Sequence, residues 1–450
     1  MKRKPLWIAA VLIALLGREA GGAEPAILTI EPTPQQPRNS EGDIIELKDG
    51  RLCLIYTRFT GGGSDHSAAD LAMRISRDGG KTWSGDRIVV RREAGQNVMS
   101  VSLLRLADGR VALFYLDKQS IRDCRVAMRI STDEAATFGA PTMCIAETGY
   151  YVLNNDRAVQ LAGGRIVLPV AQHNRPGLKK PDWAGWLMCY LSDDAGKTWR
   201  RSKSTLEARS PEGKRITVQE PGVVELTDGR LMMFCRTDAG SQYVSYSQDK
   251  GETWSALAAS NLASPVSPAS IERIPWTGEL LCVWNDHSGV HPYTPGKRTP
   301  HCAAVSRDEG KTWSRSQMFE PDPHGWYCYT SITFLKDRAL LSYCAGDRKV
   351  GLLNRLKVIS LSRARLAEIA TAGPARPSQK ALLEPCLDYG RSFFNTKAEW
   401  NSPRFWVESP TTVAKCDGEK ENAQENYQTY HYSGREHRVT SNVLLALEKE

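Results

Sequence analysis

The stretch TGGGSDHSAAD, residues 60–70, places Asp65 and His66 directly after a strand-like apolar run. A carboxyl group beside an imidazole could bind a metal, transfer protons, or lie in a linker to which glycines give conformational freedom. The other histidines are dispersed, without an HExxH pattern or a cluster with cysteine, so a metal site is not favoured. Proton transfer by Asp65 then requires a fold that carries this loop to a substrate.

Arginines and tyrosines stand near other strand-like runs. Arg236 follows the apolar run LMMFC, and Arg298 precedes the run HCAAV. A planar guanidinium can bind a carboxylate through two parallel hydrogen bonds. The segment GWYCYTSITFL contains Tyr327 and Tyr329, and a phenol with a pKa near 10 needs a neighbouring base to act as a nucleophile. These residues are far apart in the sequence, so the fold must bring them together if they act at one site.

One motif recurs along the chain: SRDGGKTW from Ser76, STDEAATF from Ser131, SDDAGKTW from Ser192, SQDKGETW from Ser247 and SRDEGKTW from Ser306. The copies start 55 to 61 residues apart, which is the period of a repeat unit. We expect the Asp to accept backbone N–H groups, the glycines to adopt positive φ, and the aromatic residue to pack between sheets. The distal Glu of an EF-hand calcium loop is missing.

A second pattern lies between these boxes. Six hairpins are predicted, in IIELKDGRLCLIY, LLRLADGRVALFY, AVQLAGGRIVLPV, VVELTDGRLMMFC, ERIPWTGELLCVW and ITFLKDRALLSYC. Two strands around each hairpin and two around each box give about four strands per repeat. The sequence therefore predicts an all-β fold, a six-bladed β-propeller over residues 30–366. The second box is degenerate, and the sixth unit has none.

The two ends of the sequence fall outside this repeat. Lys2, Arg3 and Lys4 precede an apolar run over residues 6–16, and small residues follow as far as Ala23. This pattern predicts a secretory signal peptide over residues 1–23, and its apolar run is too short to span a membrane. We expect a secreted or periplasmic protein. Residues 367–380 resemble a linker, and residues 381–450 contain no identifiable motif and stay unassigned.

Composition limits the possible partners and cofactors. The formal net charge is +8, and the basic residues are interspersed with acidic ones, so the sequence does not indicate nucleic-acid binding. No phosphate-binding loop, dinucleotide fingerprint or GxSxG elbow is present, and no cofactor is expected. The 11 cysteines lack CxxC spacing and mostly lie in strand-like runs. We expect them to be buried apolar residues, with one or two disulfides left open.

The repeated SxDxGxTW boxes on a chain of six hairpins resemble those of the sialidase (neuraminidase) superfamily over about residues 30–365. In that superfamily such boxes lie on the rim, away from the active site. The resemblance implies a retaining exo-sialidase with a tyrosine nucleophile, an exception among glycosidases, most of which use a carboxylate. A neutral phenol avoids repulsion from the carboxylate on the sugar.

The resemblance also implies the catalytic groups. The segment around Tyr329 is similar to the family's Tyr-Ser-Ser-Leu-like segment and selects Tyr329 as the nucleophile, with Tyr327 as the alternative. Glu220, in VQEPGVVELTDGR, would be its base, and Glu225 fits this role less well because it lies inside a strand. Asp65 occupies the place of the acid and base that serves the leaving group and then water.

Further residues follow from the same resemblance. Asp70 competes locally with Asp65, but it begins the strand-like stretch DLAMRIS and is expected to be structural. Arg236 and Arg298 are similar to the second and third arginines that hold the substrate carboxylate. Arg38 takes the place of the first, although the family's Arg-Ile-Pro signature is here Arg-Asn-Ser. Arg58, in YTRFTGGG, is expected to add positive charge near Asp65.

The function expected from the sequence is exo-sialidase activity on sialylated glycans. One alternative is a non-catalytic Asp-box propeller that binds glycans or a protein partner, and a paired Tyr and Glu argue against it. Another alternative is a propeller glycosidase for a related keto acid or a uronic acid, because arginines recognise the carboxylate and not the rest of the sugar ring.

Overall fold

Antiparallel β-strands make up most of this protein. The computed structural model describes residues 24–373 and four three-residue strands farther along the chain. The described residues contain a single helix beside the strands, so the prediction of an all-β fold is confirmed. The predicted signal peptide, residues 1–23, and most of the unassigned segment 381–450 lie outside the described residues.

Six sheet units follow one another along the chain, and we number them in that order. Strand β1 (Ala26–Ile30) comes before them. Unit 1 consists of β2 to β5, which are Arg38–Glu46, Leu52–Phe59, Ala69–Ser76 and Arg87–Val90. Unit 2 consists of β6 to β9, which are Asn97–Arg105, Val111–Ser120, Asp123–Ser131 and Thr142–Met143. Unit 3 consists of β10 to β14, which are Tyr150–Val152, Val159–Gln160, Ile166–Asn174, Trp186–Ser192 and Arg200–Arg201.

The remaining elements continue the same order. A short hairpin, β15 and β16, spans Ala208–Arg209 and Arg215–Ile216. Unit 4 consists of β17 to β20, which are Val218–Glu225, Leu231–Thr237, Ser241–Ser247 and Ala258–Ala263. Unit 5 consists of β21 to β24, which are Ser270–Arg273, Leu280–Asn285, His301–Ser306 and Gln317–Glu320. Unit 6 contains β25 to β27, which are Trp326–Phe334, Arg338–Gly346 and Arg355–Ser362.

Beyond unit 6 lie helix α1 and two separate hairpins. Helix α1 is Arg363–Thr371, and strands β28 to β31 are Trp406–Glu408, Val413–Lys415, Tyr430–Tyr432 and Arg435–His437. The linker predicted from residue 367 begins inside α1. This helix starts because the Ser362 side chain accepts the N–H of Arg365, and its buried Leu366, Ile369 and Ala370 pack on the core of units 5 and 6. Packed structure therefore extends to residue 371.

The strand pairing joins the two ends of the described core. Strand β1 pairs antiparallel with β27, so unit 6 is a four-stranded sheet built from both ends. Units 4 and 5 are separate four-stranded sheets, whereas single-residue parallel bridges join units 1 to 3 into one 13-stranded sheet. Strand β2 contacts both β6 of unit 2 and β25 of unit 6. The first strands of units 1 and 6 are thus neighbours.

All six predicted hairpins are present, between β2 and β3, β6 and β7, β11 and β12, β17 and β18, β21 and β22, and β25 and β26. The first shows why Asp-Gly suits these turns. Gly50 has φ +80°, which disfavours a residue with a side chain, and the Leu47 N–H donates to the carbonyl of Arg51 at 2.8 Å.

The Asp boxes form the turns after β4, β8, β13, β19 and β23, one in each of units 1 to 5. In the first, Asp78 accepts the N–H of Thr82 at 2.9 Å and its hydroxyl at 2.6 Å, and the Trp83 indole donates to the Gly80 carbonyl at 3.0 Å. The second box keeps the same Asp133 to Thr137 contacts, and Ala135 takes the glycine position at φ 60°. The expected turn chemistry of the box is confirmed.

Each unit but the fifth carries a non-glycine residue of positive φ on or beside its first strand: Glu41, Ser100, Asp156, Glu220 and Tyr329, with φ between 46° and 60°. Four of them lie at register shifts in β2, β6, β17 and β25. Asp156 lies in the segment between β10 and β11. We call these positions the inner bulges. A bulge leaves backbone groups without a ladder partner and redirects its side chain.

The described cysteines are buried and unpaired: Cys53, Cys124, Cys144, Cys189, Cys235, Cys282, Cys302, Cys328 and Cys344. Cys386 and Cys416 lie outside the described residues. The interpretation as small buried residues holds for these nine. Within the part of the chain that is described, no helix is both long and apolar enough to cross a membrane.

Candidate active site

Tyr329 and Glu220 meet across the molecule, from the inner bulges of units 6 and 4. The hydroxyl of Tyr329 donates to Oε1 of Glu220 at 3.2 Å. Both residues have positive φ, 57° and 51°, and this unusual backbone is what turns their side chains out of the strand alternation. Burial first, and then the charge of Glu220, raises the pKa of Tyr329 well above its ordinary value. The phenol is therefore neutral and already bonded to a carboxylate that can accept its proton.

Arg236 completes this chain of contacts from the end of β18. Its Nη1 donates to Oε2 of Glu220 at 2.9 Å, and its Nη2 donates to Oε1 of Gln219. The side chains of Arg236 and Glu220 are only 14% and 12% exposed. Glu220 thus has one oxygen for the guanidinium of Arg236 and one for the phenol of Tyr329.

Arg298 lies on the other side of Tyr329, in the loop between β22 and β23. Its guanidinium carbon is 5.4 Å from the centre of the Tyr329 ring, and its Nη1 contacts Sγ of Cys328 at 2.9 Å. Burial lowers the pKa of Arg298. The nearby thiol, phenol and carboxylate groups raise it by more, so this pKa is raised overall. Among the described residues, Arg298 forms no ion pair with a carboxylate. A buried cation without such a partner suits an anionic ligand.

Arg38, the first residue of β2, forms an ion pair with Asp65 in the loop between β3 and β4. Nη1 of Arg38 is 2.5 Å from Oδ1 of Asp65, and Nη2 donates to Oγ of Ser40 at 3.0 Å. The Arg38 side chain is 7% exposed, whereas that of Asp65 is 59% exposed. Burial raises the pKa of Asp65, but the charge of Arg38 and its hydrogen bond lower this pKa overall. Asp65 is therefore ionised while it is paired with Arg38.

Two buried side chains hold the loop that carries Asp65. The amide of Asn97 donates to the carbonyls of Asp65 at 3.0 Å and Ser67 at 2.8 Å. Nζ of Lys118 donates to the carbonyl of Asp65 at 2.7 Å. The loop backbone is thus fixed while the carboxyl group faces solvent. His66 lies beside it, with Nδ1 3.2 Å from Oε1 of Gln96.

The structure does not place the Arg58 side chain near Asp65, where the sequence predicted it. Strand residues alternate between the two faces of a sheet, and Arg58 shares its face of β3 with Tyr56. Both contact Asp86: Nε of Arg58 is 3.4 Å from Oδ2, and the Tyr56 hydroxyl donates to Oδ1 at 2.8 Å. Arg58 is therefore held by Asp86, on the face opposite Arg38 and Phe59.

The competing residues have other contacts. Asp70 accepts the N–H of Arg92 at 3.0 Å. Glu225 binds Nζ of Lys250 at 2.8 Å and accepts the N–H of Ala162 at 2.9 Å. Tyr327 packs in the core of units 5 and 6, where its ring stacks on His301 at 5.9 Å. None of the three shares the contacts of Tyr329, Glu220 or Asp65.

Sequence reasoning missed Glu41, the inner-bulge residue of unit 1. Its Oε1 is 3.6 Å from Nη2 of Arg38, and its Oε2 accepts the Ser100 hydroxyl at 3.3 Å. Burial raises the pKa of Glu41 to about 7, against the opposing charge of Arg38. The available signal was an acidic residue three positions after Arg38, just before the apolar residues of the first hairpin.

The arrangement combines a phenol with a base, a second carboxyl group on a loop, and three arginines. Such a set can attack a carbon, protonate a leaving oxygen and hold a carboxylate. Over the described ranges, no group of three or more His, Cys, Asp or Glu side chains is placed to hold a metal ion.

Comparison with known proteins identifies the family. Residues 55–342 match the model of the BNR repeat-like domain. The sialidase of Micromonospora viridifaciens is 25% identical over an alignment of 329 residues that covers 64% of this chain and 47% of that protein. The chain thus spans about half the length of this curated relative.

Solved structures agree on the fold. A protein of unknown function from Dyadobacter fermentans has a TM-score of 0.59 and 17% identity over 75% of this chain and 99% of that chain. The NanB sialidase of Streptococcus pneumoniae has a TM-score of 0.58 and 16% identity over 76% of this chain and 71% of that chain. The sialidase of Trypanosoma rangeli has a TM-score of 0.56 and 15% identity over 73% and 55%. With the family match covering more than half of the sequence, the chain belongs to the sialidase/BNR-repeat superfamily.

Proposed function

We propose that this protein is an exo-sialidase that hydrolyses terminal sialic acid, or a closely related keto acid sugar, from glycoconjugates with retention of configuration. The observation that carries the proposal is the contact of 3.2 Å between the Tyr329 hydroxyl and Glu220. A buried phenol bonded to a carboxylate is the pair that a tyrosine nucleophile needs, and a pure binding module has no use for it.

In the first half of the reaction, Glu220 takes the phenolic proton as Tyr329 attacks the anomeric carbon. The bond from that carbon to the leaving oxygen breaks, and Asp65 gives this oxygen a proton. In the second half, Asp65 removes a proton from water, whose oxygen attacks the same carbon. The bond to Tyr329 then breaks, and Glu220 returns the proton to the phenol.

The arginines would bind the carboxylate of the substrate. Among the described residues Arg298 is buried without a carboxylate partner, whereas Arg38 pairs with Asp65 and Glu41, and Arg236 pairs with Glu220. A substrate carboxylate competes with Asp65 for Arg38. Once Arg38 turns to the substrate, the contact that lowers the pKa of Asp65 weakens and this pKa rises. Substrate binding therefore favours the protonated Asp65 that an acid catalyst requires.

The same proposal includes the architecture and the site of action. The six sheet units would be the blades of a six-bladed β-propeller, which is supported by the contacts of β2 with both β6 and β25. The chain would be exported by its predicted signal peptide and act on glycans outside the cytoplasm. It would need neither a cofactor nor a metal.

Release of free sialic acid from a mixture of sialylated glycans by the purified protein tests the activity. We expect wild type to release it and Tyr329→Phe to release none above background. With a 3-fluorosialosyl fluoride, the adduct should map to the peptide that contains Tyr329. Release of a different acidic sugar would change the substrate, and an adduct on a carboxylate would overturn the mechanism.

A further inference from the structure

Three backbone groups of β25, at and beside the inner bulge of unit 6, bond to side chains of other units. The β25–β26 register skips from Cys328 to Ser331, so Tyr329 and Thr330 have no partner in β26. Side chains from other units take these groups: Asn155 Nδ2 donates to the Tyr329 carbonyl at 2.9 Å, Ser270 Oγ donates to the Thr330 carbonyl at 2.5 Å, and Asp156 Oδ2 accepts the Ile332 N–H at 2.8 Å.

Asn155 makes a second contact of the same kind. Its Nδ2 also donates to the carbonyl of Gly42 at 3.0 Å, directly after Glu41 in the inner bulge of unit 1. Asn155 is completely buried. A single amide group therefore joins the bulge of the strand that begins with Arg38 to the bulge that carries Tyr329.

The segment that presents Asn155 is itself fixed. The Asp156 N–H donates to the Val101 carbonyl at 3.1 Å. The Arg157 N–H donates to Oγ of Ser102 at 2.8 Å, and its Nη2 donates to the Ala269 carbonyl at 2.6 Å. Unit 3 thus reaches units 1, 2, 5 and 6 through three consecutive residues, which form a rigid support for Asn155.

We propose that Asn155 is a positioning residue that holds Tyr329 in its left-handed conformation and so sets the phenol against Glu220, an inference that rests on the proposed function. A tyrosine at φ 57° is strained, and such a conformation persists only where the surroundings enforce it. The phenol contact of 3.2 Å is at the long end of a hydrogen bond. A backbone shift of a few tenths of an ångström at Tyr329 breaks it.

The test compares Asn155→Ala with Asn174→Ala. Asn174 is 4% exposed and lies at the end of β12, but its Nδ2 has no hydrogen-bond partner within the described part of the chain. On an aryl sialoside, we expect Asn155→Ala to lower kcat about 10- to 100-fold, because displacement of a reacting group by about 1 Å has effects of that size. KM should change less than about 3-fold, because the arginines remain, and Asn174→Ala should stay close to wild type.

A second measurement follows the nucleophile without using activity. In protein labelled with 3-fluorotyrosine, the ¹⁹F resonance of Tyr329 is identified by its loss in Tyr329→Phe. Asn155→Ala should shift or broaden that resonance, and Asn174→Ala should leave it in place. If Asn155→Ala does not fold, Ser270→Ala removes the support of the next peptide and should show the same pattern with a smaller effect.

The outcomes separate the two proposals. An unchanged Tyr329 resonance in a folded Asn155→Ala or Ser270→Ala protein overturns the positioning role, whatever the activity. If Asn155→Ala shifts the Tyr329 resonance but the wild-type protein cleaves no sialoside, the positioning role is supported and the proposed function is rejected. An increase in KM with kcat unchanged would also count against Asn155, because it would indicate an effect on binding alone.

Discussion

The Asp boxes and the inner bulges are both repeated features, but they repeat different things. The boxes repeat residue types, and each box from the first to the fifth has the same serine, aspartate and threonine in the same contacts. The inner bulges repeat only a backbone conformation, which carries Glu41, Ser100, Asp156, Glu220 or Tyr329. Identical side chains build the box turns, whereas different side chains occupy the inner bulges, and two of these, Glu220 and Tyr329, contact each other in the candidate site.

The pKa of Asp78 in a box and the pKa values of Glu41 and Asp156 at the inner bulges are shifted in opposite directions. Hydrogen bonds from Thr82 lower the pKa of Asp78 in the first box to about 2. Burial raises the pKa values of Glu41 and Asp156 to about 7. A box acid is satisfied as an anion, whereas these bulge acids are held in surroundings that disfavour the charge. Local contacts therefore stabilise the boxes, and the rest of the fold must stabilise the bulges.

The largest expected effect separates two glutamates of β17. Glu220→Gln removes the base that contacts Tyr329 and should lower kcat about 10²- to 10⁴-fold. Glu225→Gln changes a residue that binds Lys250 and should leave the rate within about 2-fold of wild type. Steady-state kinetics on an aryl sialoside measures both variants. Equal losses would show that the bulge position confers no special role.

The next effect concerns the arginines near the inner bulges. Arg236→Lys keeps the charge but cannot bind Glu220 and Gln219 together, so kcat/KM should fall about 10- to 100-fold. Arg230→Lys, in the hairpin turn before β18, is the matched control because the Arg230 guanidinium binds the neighbouring Asp228 and lies over the ring of Tyr246, and neither residue belongs to the candidate site. A hydrolysis rate for Arg236→Lys equal to wild type would rule out the role of this guanidinium.

A box variant should affect stability and leave catalysis intact. Ser247 is 1% exposed, and its hydroxyl donates to Asp249 at 2.8 Å and accepts the Gly251 N–H at 2.8 Å. Ser247→Ala should lower the free energy of unfolding by about 1–3 kcal/mol, because it leaves a buried N–H without a partner. Urea unfolding measures the loss, and kcat at 25 °C should be unchanged. A large fall in kcat without a loss of stability would link the boxes to catalysis.

The smallest effect is on the pH dependence of stability. The pKa of Glu41 rises from 4.5 to about 7 on folding, so the folded protein binds more protons than the unfolded chain in this window. Its free energy of unfolding therefore falls as the pH rises from about 4.5 to 7. Glu41→Gln should reduce this fall by on the order of 1 kcal/mol, as measured by urea unfolding at pH 5 and pH 7. A steeper fall in the variant would reverse the sign and contradict the burial of this carboxyl group.

The sequence was sufficient for the features that depend on residue type. Asp-Gly turns and SxDxGxTW boxes predicted the hairpins and the box contacts, because glycine and aspartate have few alternatives in such turns. The structure also brings together candidates that the family resemblance selected. The pairs are Tyr329 with Glu220, Glu220 with Arg236, Tyr329 with Arg298, and Arg38 with Asp65.

The sequence was insufficient where the backbone conformation decides which way a side chain points. Nothing in β2 shows that Glu41 is left-handed, because non-glycine residues of positive φ have no distinct sequence pattern. Arg58 was expected near Asp65, but a side chain at that register faces Asp86. Asn155 contacts Tyr329 because the fold brings the segment after β10 against the inner bulges of units 1 and 6. These three outcomes depend on register and on contacts between distant units.

The pairing of β1 with β27 imposes an order on folding. During synthesis β1 appears first, yet Ile30 pairs with Leu356 near the end of the described core. Units 1 to 5 can form their internal pairs earlier, whereas unit 6, which carries Tyr329, is complete only after this distant strand returns. Contacts so far apart in sequence form slowly. We therefore expect the four-stranded sheet of unit 6 to be completed after the internal pairs of units 1 to 5 have formed.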